Sequence, residues 1–130
     1  MTRTIGAAVV GVSLMLTAGA ALAEGDPAAG QKVFNKCRAC HVVEQPQNRV
    51  GPTLNGVIGR PAGSVEGFNY SDAMKNSGIV WTEETIAEYI ADPKGYVPGN
   101  RMAFAGLKKE EDVVNVIAYI KENGGTAGGS

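Results

Sequence analysis

Cys37-Arg38-Ala39-Cys40-His41 is the stretch on which the reading of the whole chain turns. It contains both cysteines and the one histidine of a 130-residue sequence. The CxxCH pattern is that of c-type haem attachment, and its spacing has a physical reason. Residues three apart on a helical turn share a face, so both thiols reach the two vinyl groups along one porphyrin edge while the histidine turns to the iron. A structural zinc site needs a second, separated pair of Cys or His ligands, and nothing beyond position 41 supplies it. A thioredoxin-like redox pair opens a helix after a strand, whereas the segment before Cys37 reads as helix. A plain disulfide leaves the adjacent histidine without a role.

Working back from the motif, Asp26 followed by Pro27 reads as an N-cap and first helical position, and Val33, Phe34 and Cys37 form the apolar side of that helix. Further back, Arg3 gives a short positive region, residues 5–20 are apolar or small, and Ala21-Leu22-Ala23 makes a cleavage site before Glu24. Residues 1–23 read as a cleaved signal peptide, which places the protein in the periplasm with no membrane insertion after cleavage. The competing reading is a retained anchor, since the apolar stretch approaches a bilayer-spanning length. What remains is one domain, here 24–125, with a Gly-rich flexible tail at 126–130. The chain has 12 Lys and Arg against 13 Asp and Glu, and loss of the leader's Arg3 makes it more acidic still, so nucleic acid is excluded as a partner.

Working forward, Pro46, Gly51, Pro52, Gly56, Gly59 and Pro61 punctuate the chain from 42 to 61 too often for regular structure. A short helix is expected from Ser71. A longer one starts at Thr82, with Glu83 and Glu84 at its positive end and Ile86, Tyr89 and Ile90 inward, and stops at Pro93. The last helix opens on Glu110, Glu111 and Asp112, shows Val113, Val116, Ile117 and Ile120 at i, i+3, i+4, i+7, and stops at Gly124 and Gly125. The expectation is an all-α fold whose long loops find apolar surface on a buried cofactor.

Haem iron with one histidine either keeps an open position or is closed by a second side chain. Histidine is exhausted, and beyond the leader two methionines remain, Met74 and Met102. Met102 follows Pro93, Pro98 and Gly99, in a loop able to carry a thioether across a haem face. Met74 sits on a short helical turn, where core packing is the ordinary role of a methionine. Met102 is the stronger candidate.

In order, CxxCH, Gly51-Pro52, Trp81 and Met102 make the chain resemble the class I cytochromes c, closest to the mitochondrial cytochrome c and bacterial cytochrome c2 group. The resemblance runs from about residue 25 to 121, with a short deletion near Gln47. It implies the class I cytochrome c fold around one haem c held by Cys37 and Cys40. His41 would be the proximal ligand, the Pro52 carbonyl accepting its ring N–H, and Met102 the distal ligand with the Tyr89 hydroxyl near its sulfur. Tyr70 and Trp81 would bond a buried propionate, Arg60 would offset its charge, and Phe104 would shield the haem edge. Read without the resemblance, Tyr70, Trp81 and Tyr89 are equally well plain aromatic core. Gly30 and Phe34 match first-helix residues that cross the last helix near Val116 and Tyr119. Asn100 and Met74 depart from the family pattern, which commonly has threonine and asparagine there.

The implied function is that of a soluble, monomeric, periplasmic one-electron carrier. It would shuttle between membrane redox complexes: a cytochrome bc1 complex or a dehydrogenase on one side, a terminal oxidase or photosynthetic reaction centre on the other. Both axial positions are filled in this reading, so no substrate turnover is expected. Lys32, Lys36, Lys94, Arg101, Lys108 and Lys109 are the candidates for a basic docking face; the plainer reading is ordinary solvated charge. The alternatives are a haem enzyme or gas sensor with a displaceable methionine, and a subunit of a larger oxidoreductase.

Overall fold

The computed structural model describes residues 6–12 and 24–126. Residues 6–12 are exposed and irregular; the rest of the expected leader, and the tail from 127 onward, lie outside the described residues. Among the described residues five α-helices follow in order: α1 (Pro27–Phe34), α2 (Asp72–Lys75), α3 (Glu83–Ala91), α4 (Pro93–Tyr96) and α5 (Glu110–Ile120), the last running into a π-helical turn at Lys121–Gly125. No strand occurs among the described residues. One isolated bridge joins Pro61 and Val80, and beside it the Trp81 N–H donates to Arg60 O at 2.9 Å.

The Asp26 carboxylate accepts from Ala28 N at 2.9 Å, so the cap and Pro27 start α1 where the sequence places it. The Asp26 N–H donates to Asn115 Oδ1 at 2.8 Å, tying that start to α5. α1 buries Gly30 and Phe34, one turn apart, against α5. A Cβ at Gly30 would fall on the Asn115 carbonyl and 3.0 Å from Tyr119 Cβ, so only glycine permits this approach. The Phe34 and Tyr119 rings lie 5.0 Å apart. α5 buries Val113, Val116, Ile117 and Ile120, the stripe its periodicity predicts.

Thr82 caps α3 in a reciprocal box: Thr85 N donates to Thr82 Oγ1 at 3.1 Å and Thr82 N to Thr85 Oγ1 at 2.8 Å. Ile86 and Tyr89 turn inward. The helix ends at Ala91 as Pro93 requires, but Pro93 also opens the single turn of α4, in a stretch the sequence presents as loop. The cause is a second Asp-Pro start: the Asp92 carboxylate accepts from Gly95 N at 3.1 Å. The core gathers Phe34, Val43, Val57, Trp81, Ile86, Tyr89, Val97, Leu107 and the buried face of α5, with Cys37, Leu54, Met102 and Phe104 packed at its margin.

Candidate haem-binding site

α1 ends at Phe34, yet the chain goes on turning in helical sense through the motif. Cys37 N donates to Phe34 O at 2.8 Å, and Cys40 N and His41 N both donate to Cys37 O, at 3.0 and 2.9 Å. The two half-buried thiols therefore stand three residues apart on one turn. Burial raises the Cys37 thiol above its ordinary pKa, Cys40 adds to this, and Lys36 partly offsets it.

His41 Nδ1 lies 2.8 Å from Pro52 O. A carbonyl only accepts, so Nδ1 carries the proton and Nε2 keeps its lone pair for a metal. Burial holds the imidazole below its ordinary pKa, the Pro52 bond opposes the shift and the Arg60 charge adds to it; the neutral form is the one that can ligate. Gly51 packs flat on the ring: a Cβ there would sit 2.7 Å from both ring nitrogens. The Gly51-Pro52 pair thus fixes the plane and the tautomer together.

Met102 is half-buried at the edge of the core, and Tyr89 Oη donates toward its sulfur at 3.9 Å. Burial pushes the Tyr89 phenol up to about 12, keeping it protonated and a donor. Asn100 contacts the same segment through the Met102 N–H, at 2.8 Å. Met74 lies on α2, partly buried against the core, its N–H capped by Ser71. Phe104 is half-exposed beside Met102 in the chain.

Arg60, Tyr70 and Trp81 form a second group. Arg60 donates from Nη2 to Thr53 O at 2.9 Å and from Nη1 to Asn55 O at 3.2 Å, while its buried Nε has no partner. Tyr70 Oη accepts from Val65 N at 3.1 Å, which leaves its own proton to donate elsewhere. The Trp81 ring lies 5.1 Å from that of Tyr89, linking this group to the methionine side. Sequence reasoning passed over Thr53, which is 6% exposed. Its hydroxyl donates to Gln45 O at 2.7 Å and its N–H goes to Asn48 Oδ1 at 2.9 Å, bracing the loop that carries Pro52. It also passed over the tie from Arg38 Nη2 to Tyr119 Oη, at 3.2 Å, which fastens the motif to α5.

The donor set suits a haem c: two thiols on one turn, an imidazole with its outer nitrogen free, a thioether, and a buried guanidinium N–H facing no acceptor, as an anionic propionate would provide. A family profile described as Cytochrome c matches residues 27–124, and the chain belongs to the cytochrome c family, with the class I fold. Membership implies covalently bound haem c, for which Cys37 and Cys40 are present. The chain is 53% identical over 114 residues to cytochrome c-554 of Methylosinus trichosporium, covering 87% of this chain and 86% of that protein. It is 50% identical over 115 residues to cytochrome c2 of Blastochloris viridis, covering 88% and 91%. Among solved structures, cytochrome cH from Methylobacterium extorquens is 46% identical with a TM-score of 0.71, over 75% of this chain and 99% of that one.

Proposed function

We propose that this chain is an exported one-electron carrier in which one haem c is bound through Cys37 and Cys40 and ligated by His41 and Met102. The observation that carries the reading is the Pro52-fixed tautomer of His41, which leaves Nε2 as a ligand, together with a methionine sulfur held toward the same core by Tyr89. The bound iron supplies the ferric/ferrous couple, whose potential a thioether ligand raises. The chain's own residues hold both ligands at fixed positions and exclude water with Trp81, Tyr89, Leu107 and the α5 stripe. Tyr70, Trp81 and Arg60 serve the propionate, Arg60 through its free Nε; Phe104 covers the haem edge.

With both axial positions taken, the chain offers no site for substrate turnover, which favours outer-sphere transfer over the enzyme or sensor reading. Lys32, Lys36, Lys94, Arg101, Lys108 and Lys109 are all exposed. Among the described residues the one ion pair joins Lys121 to Glu83, so these six cations remain available to steer an acidic partner such as a membrane redox complex.

The test is the visible spectrum of the purified ferric and ferrous protein, repeated on Met102→Ala. Wild type is expected to show the weak far-red band of ferric methionine ligation; the variant is expected to lose it and bind carbon monoxide at neutral pH. A wild type without the band, or one that binds carbon monoxide readily, moves the function to an enzyme or sensor.

A further inference from the structure

Residues 101–106, the strap that carries Met102, neither donate nor accept a backbone–backbone hydrogen bond. At its far end Leu107 N donates to Ile90 O at 2.8 Å. At its near end stands a turn, Val97-Pro98-Gly99-Asn100, closed by Asn100 N to Val97 O at 3.1 Å, with Gly99 at φ +90° as a type II turn requires. The Asn100 side chain then makes three more bonds. Nδ2 donates to Pro93 O and to Val97 O, each at 2.9 Å, and Oδ1 accepts from Met102 N at 2.8 Å. Both amide protons and the amide oxygen are used.

The acceptors on one side belong to buried residues. Pro93 is less than 2% exposed and Val97 3%, and both belong to the start and end of the α4 turn. The bond on the other side is the one hydrogen bond made by the backbone of Met102. We infer that Asn100 is a positioning residue for Met102: a clamp that couples the strap to buried α4 and sets how readily the thioether leaves the iron. The inference rests on Met102 as distal ligand. It also gives a physical role to the departure at position 100. A threonine has one hydroxyl in place of an amide, and cannot donate to two carbonyls while accepting from the Met102 N–H.

The experiment titrates imidazole into the ferric holoprotein, following the far-red band, for wild type, Asn100→Ala and Asn100→Asp. Displacing Met102 requires opening the strap, so Asn100→Ala is expected to bind imidazole at least about tenfold more tightly, through loss of three hydrogen bonds from the closed state. Far-ultraviolet dichroism is expected to stay that of wild type, because the bonds lie outside α1, α3 and α5. Asn100→Asp keeps an acceptor but sets an oxygen against the Pro93 and Val97 carbonyls, and is expected to open the strap as far as alanine does. Wild-type imidazole affinity in both variants would overturn the clamp. Amide exchange on unmodified holoprotein reads it independently of substitution: protection of the Met102 N–H above that of Arg101 and Ala103 supports it, and equal exchange of all three overturns it. A wild type lacking the far-red band would defeat the ligand reading alone, and the Met102 amide would still decide whether the clamp exists.

Discussion

The crossing of α1 on α5 and the strap at 101–106 are built on opposite terms. At the crossing, backbone approaches backbone through Gly30, rings stack between Phe34 and Tyr119, and a stripe of four aliphatic side chains on α5 is buried. On the strap, no residue makes a backbone–backbone hydrogen bond, and the segment is held by Asn100, the Tyr89 hydroxyl, the Lys108 ammonium on Ala105 O and the packing of Met102 and Phe104. The first region derives stability from area and close packing; the second is fixed by a few oriented polar groups. The proposed carrier needs both. The frame presents the CxxCH turn, while the strap brings Met102, the proposed distal ligand, from a distant part of the chain.

The comparison is broken most directly at Gly30. Gly30→Val would drive its side chain into the Asn115 carbonyl and Tyr119 Cβ, and the helices can relieve this only by separating. A loss of about 3 kcal/mol or more is expected, read as a lower denaturant midpoint and poor accumulation of holoprotein. Near-wild-type stability would mean that the crossing is not the frame.

Next in size is an alkaline effect on the strap side. Burial raises the Tyr89 phenol from 10.0 to about 12, so between those values the unfolded chain gives up a proton that the native one keeps. Native stability is therefore complete with respect to Tyr89 below pH 10 and falls as pH rises through that window. Denaturant midpoints across this range are expected to decline less steeply in Tyr89→Phe. An unchanged slope would show that Tyr89 is not the protected phenol.

Legibility in the sequence follows the same division. The start of α1, the Thr82 cap and the α5 stripe are local patterns, set by residues within a turn or two of each other, and each stands where its pattern puts it. α4 was equally local: Asp92-Pro93 repeats the grammar of Asp26-Pro27, and the density of later breakers hid it. The CxxCH turn was readable because attachment chemistry dictates its spacing. The surroundings were not. Arg38 meets Tyr119 across 81 positions, and Arg60 finds Thr53 and Asn55 by the course of a loop whose shape no periodicity encodes. Asn100 lies between: the Pro98-Gly99-Asn100 run signals a turn, but the burial of the Pro93 carbonyl it reaches is a property of the folded core.

The smallest effect sharpens the comparison at the rim of the frame. Lys121 Nζ lies 3.0 Å from Glu83 Oε1, connecting the end of α5 to the first turn of α3, and both side chains are well exposed, at 40% and 38%. Solvent screens such a pair and two long side chains must be ordered to form it, so it contributes little. Lys121→Ala is expected to change stability by no more than about 0.5 kcal/mol, with the small difference vanishing at high salt. A larger, salt-sensitive loss would mean that α3, and with it Tyr89 and the methionine side of the site, is held to the frame by charge rather than by Ile86, Ile117 and their apolar neighbours.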